Sequence, residues 1–183
     1  MSQVTAVVCA AFDSATDAEV LAIRARVRAL GVALPEAPAH RPHVSLSAAR
    51  LEFDDVPRLL DAVGAIAARC EPIPIRLSEV GSFARSGVLW LGPVPNRALP
   101  ALQRDVYRTL KRSGWEPAFG AQTTPLRWVA HCTLATRVPG PLLRSVRETL
   151  LDETTVIVGS LVGLATILVG GRGDVGYAEL TPR

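Results

Sequence analysis

Two short stretches hold the residues best suited to chemistry: Pro42-His43-Val44-Ser45-Leu46-Ser47 and Ala130-His131-Cys132-Thr133-Leu134-Ala135. Each reads histidine, any residue, a hydroxyl residue, leucine, inside a run short and apolar enough for a β-strand. Side chains alternate along a strand, so His43 shares a face with Ser45 and His131 with Thr133, about 7 Å apart within each pair. An imidazole with an ordinary pKa near 6.5 gives or takes a proton at neutral pH. A hydroxyl donates to a charged oxygen. Two such pairs facing one cleft make a phosphate site with two proton-transfer groups.

Chance is a weak rival to this reading. Serine and threonine are 22 of 183 residues, so a histidine has a hydroxyl residue two places on roughly one time in eight. A single His-x-Ser therefore reads as a core histidine. Two of the three histidines share the pattern, each is followed by leucine, and they stand 88 positions apart in a chain of 183.

The elements that would position these pairs repeat in order. In the first half, Val4 to Phe12 is an apolar run typical of a buried strand. Thr16-Asp17-Ala18-Glu19 fits a capping box, followed by Val20, Ile23, Val27 and Leu30 at helical spacing and Gly31 as a stop. A Pro-rich loop from Pro35 to Arg41 leads into the first histidine strand, through about Ala49. Asp54 and Asp55 open a second helix, with Pro57 in its first turn and Val56, Leu59, Val63 and Ile66 on one face. Pro72 to Val80 alternates as a strand, and Gly81 to Gly87 reads as a turn-rich connector at mid-chain.

The second half runs Val88 to Leu91 as a strand, then a helix on Leu99, Leu102, Val106 and Leu110 closed by Gly114. A loop from Trp115 to Pro125 precedes the second histidine strand, roughly Trp128 to Thr136. Leu142, Leu143, Val146 and Leu150 give a fourth helix entered through Pro139 and Pro141. Strands near Ser160–Val169 and Val175–Leu180 are joined by Gly170-Gly171-Arg172-Gly173-Asp174, a hairpin signal. The expected architecture is one α+β domain over 1–183, bilobal and mainly antiparallel. Its halves, 1–82 and 83–183, are each strand, helix, histidine strand, helix, strand. Like units pack about an approximate two-fold axis, which brings both histidine strands to one central cleft.

Composition sets limits. Hydrophobic residues are 49% and charged residues 20%, a globular balance. A formal charge of +3 suits a phosphate-bearing ligand and is too small for a long nucleic-acid footprint. Lys111 is the only lysine; arginine suits bidentate phosphate contacts, but the bias equally fits codon composition. Cys9, Cys70 and Cys132 have neither CxxC nor zinc-ligand spacing and read as buried thiols in a reducing compartment. The N-terminus has no signal-peptide pattern, and the most apolar run, Val156 to Val169, is shorter than a membrane span. The expectation is a cytoplasmic, monomeric protein with no membrane contact, no protein partner and no cofactor.

The two tetrads, with Arg41-Pro42 ahead of the first, resemble the two-histidine (2H) phosphoesterase superfamily, and within it the bacterial 2′-5′ RNA ligase or RNA 2′,3′-cyclic phosphodiesterase branch. Ala130 departs from the proline often found before the second tetrad, and the basic residue that usually follows it is displaced to Arg137. The resemblance implies a bilobal α+β fold and metal-independent chemistry on cyclic or 2′-linked phosphodiesters, such as RNA 3′ ends or small cyclic-phosphate nucleotides. It implies His43 as general acid and His131 as general base, with Ser45 and Thr133 holding phosphate oxygens. ADP-ribose cyclic phosphate and cyclic oligonucleotides remain alternative substrates, and a non-catalytic binding module or a metal-dependent hydrolase are alternative classes.

Strand parity adds Arg41 to the face of His43 and Arg137 to that of His131, so both are candidate phosphate contacts. Trp128 has the opposite parity and is expected in the core or under the 120–125 loop; Trp90 and Phe12 are expected in the core. His40 reads as exposed, His40-x-x-His43 lacks a third metal ligand, and Arg24, Arg26 and Arg28 read as a solvated helix face.

Overall fold

The computed structural model describes residues 2–153 and 156–182. Strand β1 (Gln3–Phe12) is apolar from Ala6 onward, where both of its faces are covered. Ala6, Val8, Ala10 and Phe12 enter the main core, while Val7, Cys9 and Ala11 join Ala48, Ala118, Ala165 and Ile167 in a second cluster on the opposite face. Helix α1 (Ser14–Ala29) buries Val20, Ile23 and Val27, while Leu30 stays exposed. Its cap differs from the expected Thr16 box. Asp13 caps instead, accepting from the Thr16 N–H at 2.8 Å and the Thr16 hydroxyl at 3.0 Å. An ionised carboxylate three residues earlier outcompetes the hydroxyl for the free helix N–H groups. It also accepts from the Ser160 N–H at 2.6 Å, which fastens the helix start to a distant strand.

Strand β2 (His43–Glu52) carries the first tetrad. Helix α2 (Val56–Ala67) buries Val56, Leu59, Val63 and Ile66, the stripe read from the sequence. Strand β3 (Ile73–Phe83) and strand β4 (Val88–Pro93) form a hairpin, so Gly81 to Phe83 belong to a strand and only 84–87 turn. Helix α3 (Ala98–Arg112) buries Leu99, Leu102, Val106 and Leu110. The next loop contains a two-residue strand, β5 (Glu116–Pro117), paired to β2. Strand β6 (Cys132–Ala135) is half the expected length, and its histidine lies just before its first residue. Helix α4 (Gly140–Glu153) and the hairpin of β7 (Ile157–Leu168) with β8 (Gly176–Glu179) complete the chain.

The eight strands form one antiparallel sheet in the order β1-β2-β6-β4-β3-β7-β8, with β5 on β2, and β1 also pairs with β7. The two halves are therefore interleaved: β3 pairs with β4 of the second half, and β7 pairs with β1 of the first. Exchanging β1 with β4, β2 with β6 and β3 with β7 leaves the pairings among these six strands unchanged, while β5 and β8 have no counterparts. One pair joins β2 to β6, Val44 and Cys132, each the residue after a tetrad histidine.

Candidate active site

That single pair sets the geometry. Extending its antiparallel register by one residue each way puts His43 across from Thr133 and Ser45 across from His131. All four side chains have the same parity and share one face. Directly opposed residues have Cβ atoms about 4.5–5.5 Å apart and diagonal ones about 7–8 Å. The two imidazoles occupy one diagonal, the two hydroxyls the other, with a gap between them suited to one phosphate. His43, Ser45, His131 and Thr133 are all half-buried, while Val44, Leu46, Cys132 and Leu134 between them are fully buried. Apolar anchoring on one face holds the reactive groups on the other.

Both imidazoles are fixed in the same way. His43 Nδ1 lies 2.8 Å from the Arg41 carbonyl, and His131 Nδ1 lies 2.7 Å from the Val129 carbonyl. A carbonyl only accepts, so each Nδ1 carries the proton and donates it. The titrating nitrogen on each ring is then Nε2.

The electrostatics of the two rings differ. Burial lowers the pKa of His43; its Arg41 carbonyl bond and the carboxylates of Asp174 and Asp17 oppose that, and the Arg41 cation adds to it. Burial also lowers His131, the Val129 carbonyl opposes, and the charge of His43 lowers it further. The pair resists holding two protons, and the acidic neighbours act on His43.

Several supports escaped the sequence reading. Trp128 packs against the core as expected, but its indole N–H also donates to the Ser45 carbonyl at 2.9 Å. Buried Gln103 of α3 donates to the Leu46 carbonyl at 3.1 Å and the Thr123 carbonyl at 2.9 Å. These two side chains satisfy β2 where the short β6 no longer reaches. The Cys9 thiol lies 3.9 Å from the Ser45 hydroxyl. Burial pushes Cys9 and Cys132 up to about 12, so both are inert packing groups, whereas Cys70 is only half-buried. Arg24, expected on a solvated face, is half-buried and donates to the Leu134 carbonyl, tying α1 to β6. Trp90 faces Thr133 across β4–β6, and its ring lies where a Cβ on Gly81 or Gly92 would stand. Phe83 meets His131 edge-on, with ring centroids 5.0 Å apart at 88°, and is itself 5.4 Å from Trp90. Two aromatic rings, Phe83 and Trp90, therefore back His131.

The two arginine candidates are placed differently from the tetrads. Arg41 turns to Asp17, with N···O distances of 2.9 and 3.3 Å, and lies 5.3 Å from the centre of the Tyr177 ring. Its charge is already engaged. Arg137 is exposed two residues past the end of β6 with φ of 57°, so the alternation that aligned it with His131 does not extend to it. His40 is half-buried, with Nδ1 3.1 Å from the Gly173 carbonyl. Among the described residues, no group of three or more His, Cys, Asp or Glu side chains is placed to hold a metal ion, and no helix is long and apolar enough to cross a membrane.

A sequence model of the 2′-5′ RNA ligase superfamily matches residues 12–165. Comparison with curated proteins finds no match. Among solved structures, a phosphoesterase superposes with a TM-score of 0.66 and 15% identity, covering 98% of this chain and 99% of that one. E. coli LigT complexed with 3′-AMP gives 0.63 and 16% over 98% and 97%. The PDE domain of MHV ns2 gives 0.60 and 15% over 91% and 99%. At these identities the likeness is one of fold.

Proposed function

The chain belongs to the 2′-5′ RNA ligase superfamily, and on that premise we propose that it is a metal-independent cyclic phosphodiesterase. It opens a 2′,3′-cyclic phosphate, on a nucleotide or an RNA 3′ end, to a phosphomonoester. The observation that carries this reading is the pair of tethered imidazoles, both leaving Nε2 available beside two hydroxyls on one sheet face. Water attacks phosphorus while His131 Nε2 takes its proton. The bond from phosphorus to one ribose oxygen breaks, and His43 Nε2–H protonates that oxygen. The acidic neighbours of His43 support this assignment, because the acid must hold a proton while the base does not. Each transfer is typically worth about 10²–10⁴ in rate.

The Ser45 and Thr133 hydroxyls donate to the non-bridging oxygens as negative charge develops on them. With a 5′-hydroxyl in place of water the same roles would join it to the phosphorus in a 2′-5′ linkage as the 3′ oxygen departs, and the two histidines exchange roles when that linkage is cleaved back to the cyclic phosphate. Small nucleotides as ligands gain support from LigT, whose fold this chain shares and which has been crystallised with 3′-AMP. We place the enzyme in the cytoplasm as a monomer. The test is a panel of nucleoside 2′,3′-cyclic phosphates, ADP-ribose cyclic phosphate and cyclic oligonucleotides, assayed in chelator. Sustained turnover of the nucleoside substrates supports the reading. Turnover abolished by chelator and restored by a divalent cation, or confined to another substrate class, overturns it.

A further inference from the structure

Beside His43 the sheet carries almost no side chains. His43 pairs with Ala11 of β1, and Ala11 with Gly163 of β7. The Tyr177 hydroxyl lies where a Cβ on Gly163 would stand, and the Arg41 guanidinium lies over the Tyr177 ring. Arg41 and Pro42, the two residues ahead of His43, also line an open cavity of about 380 Å³ between α1, the Pro-rich loop and the β7–β8 turn. That volume is within the range of about 300–1,000 Å³ usual for ligand pockets. Leu21 and Pro42 are among its apolar walls, and Asp17, His40, Arg41 and Asp174 are its polar ones. The loop and the turn are clasped, with Gly173 N–H donating to the Ala39 carbonyl at 2.8 Å and His40 donating back to the Gly173 carbonyl. These walls are present before any ligand arrives.

The charge in this cavity is the reverse of a phosphate site. Arg41 is paired with Asp17, and the carboxylate of Asp174 at the rim, which also acts on Arg41 and His43, adds a second negative charge. Asp17 gives only Oδ2 to Arg41; its Oδ1 is buried and has no hydrogen-bond partner. A buried acceptor left empty is costly unless a donor comes to it. Burial pushes the Asp17 carboxyl up even with Arg41 beside it. The cavity thus offers flat apolar walls, acceptors and no spare cation. Phosphate is repelled by it, and of the remaining parts of a nucleotide the base alone joins an apolar face to amino donors.

Position argues the same. An acid that protonates the departing ribose oxygen must lie on the ribose side of phosphorus, so the nucleoside extends past His43, toward the cavity. Resting on the phosphodiesterase reading above, we propose that this cavity seats the substrate's nucleobase and selects bases with amino donors, guanine foremost, through Asp17 and Asp174. Guanine presents N1–H and an exocyclic amine side by side, and adenine and cytosine each present an exocyclic amine. Uracil has one N–H flanked by two carbonyl oxygens, which carboxylates repel.

The test compares kcat/KM for guanosine and uridine 2′,3′-cyclic phosphates in the wild type, Asp17→Asn and Asp174→Asn. The readout is the ratio between substrates, because Asp17 and Asp174 also act on His43 and would move both rates together. A hydrogen bond to a charged group predicts a guanosine preference of about tenfold or more, shrinking toward unity in the variants. A wild-type ratio near one, or a ratio untouched in both variants, overturns the proposal. Asp174 is exposed, so its variant folds even if Asp17→Asn does not. Binding of 3′-GMP and 3′-UMP to the wild type, measured by calorimetry, separates the two readings. Guanine preference without hydrolysis of either cyclic substrate keeps the base site and sinks the phosphodiesterase. Hydrolysis with no preference in rate or binding does the opposite, and binding of neither nucleotide with no hydrolysis sinks both.

Discussion

Asparagine at position 43 keeps what holds the site together and removes what performs the chemistry. Its side-chain amide can occupy the place of Nδ1 and donate to the Arg41 carbonyl, now 2.8 Å from the ring. Nothing replaces Nε2. His131→Asn does the same against the Val129 carbonyl. Each variant should therefore melt close to the wild type while losing one proton transfer, a cost of about 10²–10⁴ in kcat. At about 1.36 kcal/mol per decade this is roughly 2.7–5.4 kcal/mol of transition-state stabilisation. Glutamine at either position reaches to where Nε2 stood and can still donate to a phosphate oxygen, so His43→Gln should lose kcat with KM little changed.

Because the two imidazoles sit on one diagonal of the same four-residue patch, they serve one step at one phosphorus. Groups that act as a unit are not additive, so the double variant should fall little below the worse single one. The assay is release of the phosphomonoester from a nucleoside 2′,3′-cyclic phosphate, with thermal melts run in parallel. Retention by either asparagine variant of a rate within about threefold of the wild type would refute the two-imidazole argument, as would a double variant whose loss is the full product of the singles.

Turnover needs one imidazole protonated and the other neutral, and burial lowers both below the ordinary value near 6.5. The pH profile of kcat/KM should be bell-shaped with its apex on the acid side of about 6.5, and an apex well above neutrality would contradict the site's electrostatics. The same shifts touch stability. The unfolded imidazoles take up protons below about 6.5 where the folded ones resist, so their contribution is intact above that pH and erodes as pH falls toward the folded values. Denaturant titrations of His43→Gln should show a weaker loss across this window. Ser45→Ala and Thr133→Val should each lower kcat by about 10²–10³ with melting nearly unchanged, since both hydroxyls face the cleft; a loss seen only in Tm would reassign them to packing. Gly81→Ala would set a Cβ 2.1 Å from the Trp90 ring, which is 7% exposed and has little room to retreat. It should cost about 1–3 kcal/mol in chemical denaturation and displace the Phe83–His131 contact, lowering kcat as well.

The parts of this molecule legible in the sequence are those with a period. The helix stripes at Val56, Leu59, Val63, Ile66 and at Leu99, Leu102, Val106, Leu110 are buried as read, and the doubled tetrads mark where the two strands meet. What escaped depends on distant partners. Asp13 outcompetes Thr16 as a cap partly because Ser160, far along the chain, also needs its carboxylate. Arg24 looks like one of three solvated arginines until the Leu134 carbonyl comes to it from β6. The second histidine strand is shorter than its apolar pattern because Trp128 and Gln103, not another strand, satisfy the carbonyls of Ser45 and Leu46. Parity failed for Arg137 at the point where the strand stopped.

The interleaving of the halves determines what happens if the chain is severed. A nick at the 84–87 turn would free two pieces, each holding one tetrad imidazole and each short of a strand whose hydrogen-bonding edge the other supplies: β3 must reach β4, and β7 must reach β1. Neither piece can settle alone without an open edge, yet together they lack nothing but one covalent link. Co-expressed fragments should therefore reassemble and regain turnover by complementation, making this fold a natural split reporter whose signal is silent until both pieces meet.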